Sequence, residues 1–228
     1  MNRRTLLKAA GVAAGAAALS TTSTASAHCG GCKKKFEIKN EDVYVDGKFS
    51  EEKAKDAVVA LCKHHGYPIF PDFRENLWVS DYNTGKFTDL GLAAYMFMNN
   101  EEDRYMLMDL FLMPGQMLPE HWHLEGEGNP AKREGWLVRW GKSHIVGIGE
   151  PNLSKEVVVP ECHWNGKVTT EHETIATPGI FVPLAKVGTR HWQWAGPEGA
   201  IITEVANVHT NSAVRHTDPD LNRFFLEG

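Results

Sequence analysis

Two histidines and a glutamate lie close together in the segment EHWHLEGEGNPAKRE, which runs from residue 120 to residue 134. His121 and His123 are one residue apart, so in a β-strand both side chains point to the same face. If the chain turns in the glycine-rich loop and returns as a neighbouring strand, Glu134 comes alongside them. Imidazoles and a carboxylate together suit a divalent ion such as Mn²⁺, Fe²⁺, Co²⁺, Ni²⁺ or Zn²⁺. The segment therefore predicts a metal site built on two strands.

Lys132 and Glu204 are the candidates for acid–base chemistry beside such a metal. Lys132 stands two residues before Glu134, so it faces the same side if the strand has already begun. Glu204 lies in the apolar segment AIITEVAN, where a carboxylate is costly unless it is paired or functional. Next to a cation that polarises carbonyl and hydroxyl oxygens, such a pair can act as general acid and general base. The alternative is a salt bridge at the mouth of a barrel.

The elements that must position these residues are short strands. After Pro71 the chain consists of β-like runs such as RYMLMDLFLMPG, EGWLVRWG and RHWQWAG, separated by glycine and proline. This texture is typical of a sandwich or barrel, so we predict an all-β domain over residues 70–228. A helix precedes it in SEEKAKDAVVALCKHHG, with Ser50 as N-cap and Gly66 as its end. Residues 28 to about 49 are polar, and we expect a tail or arm there, so that residues 28–69 form a tail and a helix.

The first 27 residues have the features of an export signal. They carry basic residues at the start, an alanine-rich apolar run and a small-residue ending at positions 25–27. The apolar run over residues 9–19 is too short to cross a bilayer, so we expect no stable membrane anchor. The pair Arg3-Arg4 resembles a signal read by the twin-arginine export machinery. We therefore expect a periplasmic or otherwise exported protein, cut after Ala27.

Composition and charge narrow the classes of partner. The chain of 228 residues has a formal net charge of −5 and no basic stripe, which makes it a poor candidate for nucleic-acid binding. A homodimer is compatible with the sequence. Of its four cysteines, two lie in HCGGC beside the expected cleavage site. The pairing of Cys29, Cys32, Cys62 and Cys162 cannot be assigned from sequence.

The glycines around the two histidines form part of a known pattern. A glycine stands six residues before His121 and another seven residues after Glu134, which resembles the first cupin motif with its H-to-E loop stretched to ten residues. Gly188-Thr-Arg-His191 matches the G-x-x-H part of the second cupin motif. Pro183 lies further upstream than that motif would place it, and the expected asparagine is missing. The resemblance implies a cupin β-barrel, a double-stranded β-helix of the jelly-roll type, with His191 as the fourth ligand.

A more specific resemblance extends from about residue 70 to residue 221. The H-x-H with K-x-E, the R-H-W followed by A-G, the T-E strand and the closing T-D-P resemble the D-lyxose isomerase family of small cupins. This resemblance implies an aldose–ketose isomerase that uses Mn²⁺ and interconverts D-lyxose with D-xylulose, and often D-mannose with D-fructose. It implies metal ligation by His121, His123, Glu134 and His191.

Three further residues are candidates for contacts with a monosaccharide. Trp136 and Trp140 share the face of Glu134 if the strand is regular, and Trp136 would then offer a flat apolar wall. Filling of the core is the alternative for both rings. Arg215 and Asp218 lie in the C-terminal segment VRHTDPD and can close over the pocket from there.

Two other functions share these residues. A different metallo-cupin enzyme, such as a dioxygenase or an oxalate-degrading enzyme, has the same ligand set. A non-catalytic carbohydrate-binding cupin in the periplasm would keep the pocket but would need neither Lys132 nor Glu204. Both alternatives stay open at the level of the sequence.

Overall fold

The computed structural model describes residues 35–227 of the chain. The export signal over residues 1–27, the motif HCGGC and the start of the expected tail lie outside the described residues. Within the described part, no helix is long and apolar enough to cross a membrane.

The expected helix, α1, spans Glu51–His65. Ser50 caps it, because its side-chain oxygen accepts a hydrogen bond from the Lys53 amide. Gly66 ends it in the left-handed conformation, which glycine adopts without strain. The apolar stripe of the helix is buried against the sheet through Ala54, Ala57, Val58, Leu61 and Cys62.

The segment before α1 folds, which makes the prediction of a tail wrong for residues 40–49. It forms a 3-10 turn over Asn40–Val43 and a small hairpin of β1 (Tyr44–Val45) and β2 (Lys48–Phe49). Val43 is fully buried, and the hydroxyl of Tyr44 donates to Asp81 Oδ2 at 2.7 Å. Although the segment is mostly polar, its few apolar residues attach it to the apolar core that packs against α1.

A nine-stranded sheet, closed into a barrel, forms the rest of the fold and confirms the all-β, cupin-type prediction. Strands β11, β6, β10, β5, β4 and β3 are neighbours in that order, and β7 pairs with β10, β8 and β9. An isolated parallel bridge pairs Leu90, just before β4, with Met117, the first residue of β6. The strands are β3 (Trp78–Ser80), β4 (Leu92–Asn100), β5 (Tyr105–Leu112), β6 (Met117–His123), β7 (Glu134–Gly147), β8 (His172–Ala176), β9 (Phe181–Pro183), β10 (His191–Ala206) and β11 (Val214–His216), and a helix α2 (Pro219–Glu227) follows.

The long strands β7 and β10 pair along their length, and their register shifts between Ala195 and Ala200. Gly141 and Gly199, both at φ 74°, lie at this irregularity. A Cβ atom on Gly141 would lie 2.0 Å from the carbonyl oxygen of Gly199, so only glycine fits at this position. On either side of the irregularity, one end of β10 pairs with β6 and the other with β5. A single strand therefore brings His191 and Glu204 to one interior.

Two apolar cores lie on opposite sides of the sheet. The first fills the barrel and includes Trp136, Val138 and Trp192, and the second lies between the sheet and α1. The second core contains residues from both sides of the predicted domain start at residue 70, from Val43 before it to Ile201 after it.

Trp140 does not share the face of Trp136, which corrects the expectation for a regular strand. Ile201 pairs with Trp140 and Ile202 with Val138, so a β-bulge leaves Arg139 without an opposite residue. The bulge reverses the alternation of faces. The Trp140 ring consequently packs against Tyr67 in the second core, with ring centroids 5.5 Å apart.

Candidate active site

Three histidines meet at the inner face of the barrel on two adjacent strands. His121 and His123 are on β6, and His191 begins β10 directly opposite His121. The potential ligand atoms of the three side chains lie within 4.8 Å of one another. The one-residue spacing and the G-x-x-H match thus lead to a single cluster.

Hydrogen bonds fix the orientation of two of these imidazoles. His121 Nδ1 donates to the carbonyl of Pro119 at 2.8 Å, and His191 Nδ1 donates to the carbonyl of Thr189 at 3.0 Å. Because a carbonyl oxygen can only accept, the proton of each neutral ring is on Nδ1. The Nε2 atoms are left with lone pairs, which is the arrangement that metal-binding histidines commonly show.

Glu134 places one carboxylate oxygen against this cluster. Its Oε1 lies 3.3 Å from His123 Nε2 and 3.2 Å from His191 Nε2. None of these three buried atoms has a hydrogen-bond partner. At this spacing the lone pair of a neutral His191 faces the carboxylate, and an unpaired buried polar atom costs about 1–3 kcal/mol. The contact becomes favourable when a cation is bound between the atoms.

The protonation of the cluster agrees with a cation site. Burial lowers the pKa of His121 well below its ordinary value, and the neighbouring His191, His123 and His216 lower it further. Burial likewise lowers the pKa of His191. Burial alone would raise the pKa of Glu134, but Lys132, His123 and His191 outweigh it and bring it well below its usual range. Neutral imidazoles and an ionised carboxylate are the ligand forms that bind a divalent metal, so the residues present fit one.

Lys132 and Glu204 lie beside Glu134 and are both buried. The Lys132 ammonium pairs directly with Glu204 Oε1 and lies 3.1 Å from Glu134 Oε2. Trp136, directly opposite Glu204 in the sheet, donates its indole N–H to Glu204 Oε2 at 3.1 Å. The two predicted acid–base residues therefore form one group with a predicted ligand.

The two members of this pair have shifted pKa values. Burial raises the pKa of Glu204, and the neighbouring Glu134 adds to this, while Lys132 and the Trp136 hydrogen bond oppose it. Burial alone would lower the pKa of Lys132, but Glu134 and Glu204 outweigh it and raise it. Two buried groups of opposite charge that lie within hydrogen-bond distance and have shifted pKa values are typical of catalytic acid–base pairs.

A cavity in the barrel gives access to these groups. Besides His121, His123, Lys132 and Glu204 it is lined by aromatic, aliphatic and two more histidine side chains: Trp78, Tyr82, Leu92, Met108, Leu110, Leu118, His209, Val214 and His216. An apolar wall with a few convergent polar groups is typical of a small-molecule site.

Trp136, Arg215 and Asp218 do not line this cavity. Trp136 is buried behind Glu204 and acts on it through the indole N–H. The guanidinium of Arg215 donates to the carbonyls of Ser212 and Val214.

Asp218 accepts hydrogen bonds from two backbone amides in different parts of the chain. Its Oδ1 accepts the Asp220 amide at the start of α2, and its Oδ2 accepts the Trp164 amide at 2.6 Å. It therefore connects the C-terminal helix with the loop around residue 164.

His209 and His216 are cavity residues that the sequence reasoning missed. His216 pairs with His121 across β11 and β6, so three histidines form one row over three strands with His191 at the other end. Burial lowers the pKa of both His209 and His216 to about 3, which leaves these rings neutral. For His216 the signal was available in the alternation of VRH, where Val214 and His216 share the face opposite to Arg215.

Solved structures share this architecture. The fold is similar to that of L-ribose isomerase from Cellulomonas parahominis, with a TM-score of 0.57 at 11% identity over 77% of this chain and 94% of that chain. L-ribose isomerase from Acinetobacter sp. DL28 gives a TM-score of 0.55 at 13% identity, over 77% and 94% of the two chains. The fold and the cluster define a cupin barrel with a candidate metal centre and a buried lysine–glutamate pair.

Sequence relatives narrow the class. No protein-family model matches the chain. It is 34% identical to D-lyxose ketol-isomerase from Cohnella laeviribosi over 173 residues, which is 75% of this chain and 91% of the relative. It is 31% identical to D-lyxose/D-mannose isomerase from Thermosediminibacter oceani over 169 residues, 74% and 91% of the two chains. The chain belongs to the D-lyxose isomerase family and is a sugar isomerase, which confirms the resemblance seen in its motifs.

Proposed function

We propose that this protein is a metal-dependent aldose–ketose isomerase that interconverts D-lyxose and D-xylulose, and also D-mannose and D-fructose. The observation that carries the proposal is the contact of the Lys132–Glu204 pair with Glu134, whose other oxygen faces His123 and His191. The relatives named for D-lyxose and D-mannose support the choice of sugars.

The isomerisation moves one proton between C1 and C2 of an open-chain sugar through an enediol. It requires a group that takes the proton from carbon and a group that exchanges protons with the oxygens. Lys132 and Glu204 are in direct contact and both line the cavity, so they can perform these two tasks on one substrate. The Trp136 N–H holds Glu204 in place at 3.1 Å.

The histidine cluster and Glu134 would hold the divalent ion, for which we propose Mn²⁺. Oxygen and nitrogen ligands with no cysteine among them suit this ion, and His121, His123, His191 and Glu134 supply such a set. When bound, the ion supplies electrophilic stabilisation of the negative charge on the sugar oxygens.

A binding protein without catalysis is the less well supported alternative. Burial of a lysine and two glutamates in direct contact requires a large desolvation free energy. A protein that only binds a monosaccharide does not require such buried charges. The polar atoms that a binder needs could be neutral, as His209 and His216 are. The buried charged group therefore favours proton transfer over binding alone.

We further propose that the protein is exported by the twin-arginine machinery to the periplasm. This rests on Arg3-Arg4, the apolar run and the small-residue ending.

We also propose a homodimer formed through an outer row of apolar side chains on β4, β5 and β10. Met98, Leu107 and Val205 are direct neighbours across these strands and are 44%, 38% and 41% exposed. Such a row is a typical subunit contact. Sedimentation of the parent and of Leu107→Glu tests it, and an unchanged monomer mass for both would contradict it.

The experiment that tests the main proposal is a sugar panel. The Mn²⁺-loaded protein is incubated with D-lyxose, D-mannose, D-ribose and L-sugars, and ketose formation is measured. We expect D-xylulose from D-lyxose at the highest rate and D-fructose from D-mannose more slowly. A protein loaded with about one ion per chain that forms no ketose from any of them would contradict the proposal.

A further inference from the structure

Lys132 does not lie in a strand, so the sheet by itself does not fix its position. Strand β7 begins at Glu134, and residues 130–133 have no regular structure. A lysine side chain has four rotatable carbon–carbon bonds, and an irregular backbone would add further freedom. Lys132 is nevertheless buried against Glu204 and Glu134.

The side chain of Asn207 binds the backbone on both sides of Lys132. Its Oδ1 accepts the Arg133 amide at 2.9 Å, and its Nδ2 donates to the carbonyl of Ala131 at 3.3 Å. The backbone amide of Asn207 adds a third bond, to the carbonyl of Arg133 at 3.1 Å. The amide group of one asparagine thus holds both peptide units that flank the lysine.

Asn207 is in turn fixed to the strand that carries Glu204. It follows the last residue of β10, three positions after Glu204, and its Oδ1 also accepts the amide of Val208 at 2.8 Å. The last pair of the ladder, Ala206 with Glu134, ties the same end of β10 to the metal-facing carboxylate. Lys132, Glu134 and Glu204 therefore share one local frame, in which only Lys132 depends on a side chain for its backbone position.

We infer that Asn207 is the positioning residue for Lys132 and sets the lysine against Glu204 for proton transfer. The inference rests on the proposed function. Asn207 itself does not line the cavity, and it acts only through the backbone of residues 131–133. A displacement of about 1 Å in a catalytic group can cost about a hundredfold in rate, so loss of this clamp should lower turnover strongly.

The test compares Asn207→Ala in the parent and in a Lys132→Met background. In the parent we expect kcat to fall by roughly 10- to 100-fold, with KM for D-lyxose and bound metal unchanged. In the Lys132→Met background the same substitution should change the remaining rate less than about twofold, because the group it positions is already absent. Asn207→Asp keeps the two acceptor bonds to the amides of Arg133 and Val208 and replaces Asn207→Ala if that variant does not fold.

Asn152→Ala is the matched control. Asn152 also bonds both backbone groups of one residue, since its Oδ1 accepts the Glu173 amide at 2.6 Å and its Nδ2 donates to the Glu173 carbonyl at 3.2 Å. Glu173 is in β8, away from the cavity, so this variant should lose stability without losing kcat.

Three outcomes would overturn the inference alone. The first is an equal loss of rate from Asn207→Ala in both backgrounds, and the second is a loss of kcat as large for Asn152→Ala. A parent that turns over no sugar would contradict the proposed function itself, and the inference with it. If the unsubstituted protein isomerises D-lyxose and Asn207→Ala has the same kcat, which is the third outcome, the inference alone is contradicted.

Discussion

Lys132 and Glu134 are held with the lysine ammonium 3.1 Å from Glu134 Oε2, while the other oxygen of the same carboxylate lies 3.2 Å from His191 Nε2. One carboxylate thereby contacts both the candidate metal centre and the proposed acid–base pair of Lys132 and Glu204. Its pKa is well below the ordinary value because, although burial opposes it, Lys132, His123 and His191 all favour the ionised form. The two parts of the site are therefore electrostatically coupled.

The metal centre can be tested by removal of single imidazoles. His191→Ala and His121→Ala should each lower bound Mn²⁺ from about one ion per chain to near none, because each removes an Nε2 from the converging set. Metal content after gel filtration, measured by mass spectrometry, checks this. His64→Ala, in the last turn of α1, is the control and should keep the metal. Full metal content in His191→Ala would show that the G-x-x-H assignment is wrong.

Trp136 should influence the reaction through Glu204. Trp136→Phe removes the N–H that bonds Glu204 Oε2, and a hydrogen bond to a charged group contributes about 1.5–3 kcal/mol. That bond lowers the pKa of Glu204, so its loss should raise this pKa further and move the acidic limb of kcat/KM to higher pH. We expect turnover to fall by roughly tenfold.

The control for this variant is Trp140→Phe, which changes the second core and not the cavity. Rate measurements from pH 5 to 9 on both variants provide the comparison. A pH profile for Trp136→Phe that coincides with that of the parent would show that the indole N–H does not act on the acid–base group.

The two described cysteines should be unreactive in the folded protein. Cys62 and Cys162 are free thiols, and burial raises their pKa to about 12 and about 11. In a background with Cys29→Ser and Cys32→Ser, labelling by a thiol reagent at pH 8 should be about a hundredfold slower folded than unfolded. Immediate labelling of both thiols in the folded state would contradict the burial described here.

The same pKa shifts predict how stability depends on pH. An unfolded cysteine has a pKa of about 8.5, so above that value the unfolded chain loses its thiol protons first. The contribution of these thiols to the free energy of unfolding should be constant below about pH 8 and should decline as the pH rises towards the folded-state values. Denaturant unfolding at pH 7 and pH 9.5 measures the decline, and Cys62→Ala should make it smaller. A stability that increases over this range would have the wrong sign for neutral thiols with a raised pKa.

Export can be tested independently of the enzyme. Replacement of Arg3-Arg4 by Lys-Lys should retain the protein in the cytoplasm, since the twin-arginine machinery reads that pair. Fractionation of cells that express the parent and the variant provides the measurement. A normal periplasmic yield of the variant would indicate the general secretory route.

The positions of the candidate metal ligands and of Glu204 were predictable because strand alternation and short motifs determine them. His121 and His123 share a face by the period of two, and His191 and Glu204 followed from a G-x-x-H match and a carboxylate in an apolar strand. These arguments are local, and the sheet then brings the residues together. Lys132 lies beside Glu134 although it precedes the strand, and the Asn207 side chain bonds the backbone on both sides of it.

The features that sequence reasoning missed depend on irregular backbone or on distant contacts. Because of the bulge at Arg139, Trp140 faces the second core, and no residue type in this strand marks such a bulge. Asp218 and Arg215 were expected to close over the pocket, but neither lines the cavity and both bond backbone groups elsewhere. Alternation places His216 on the face opposite to Arg215, but its position in the cavity also requires the pairing of β11 with β6, which is a long-range contact.

The central claim is that Lys132 and Glu204 transfer the proton, and the turnover of Glu204→Gln on D-lyxose tests it most directly. Glutamine keeps the size of the side chain and its bond from Trp136 but cannot take up or release the proton. The account predicts a fall in kcat of roughly 10²–10⁴-fold, with metal content and melting temperature close to those of the parent, and a similar fall for Lys132→Met. Turnover at the parental rate in Glu204→Gln would contradict the account, because the carboxylate would then have no part in the proton transfer.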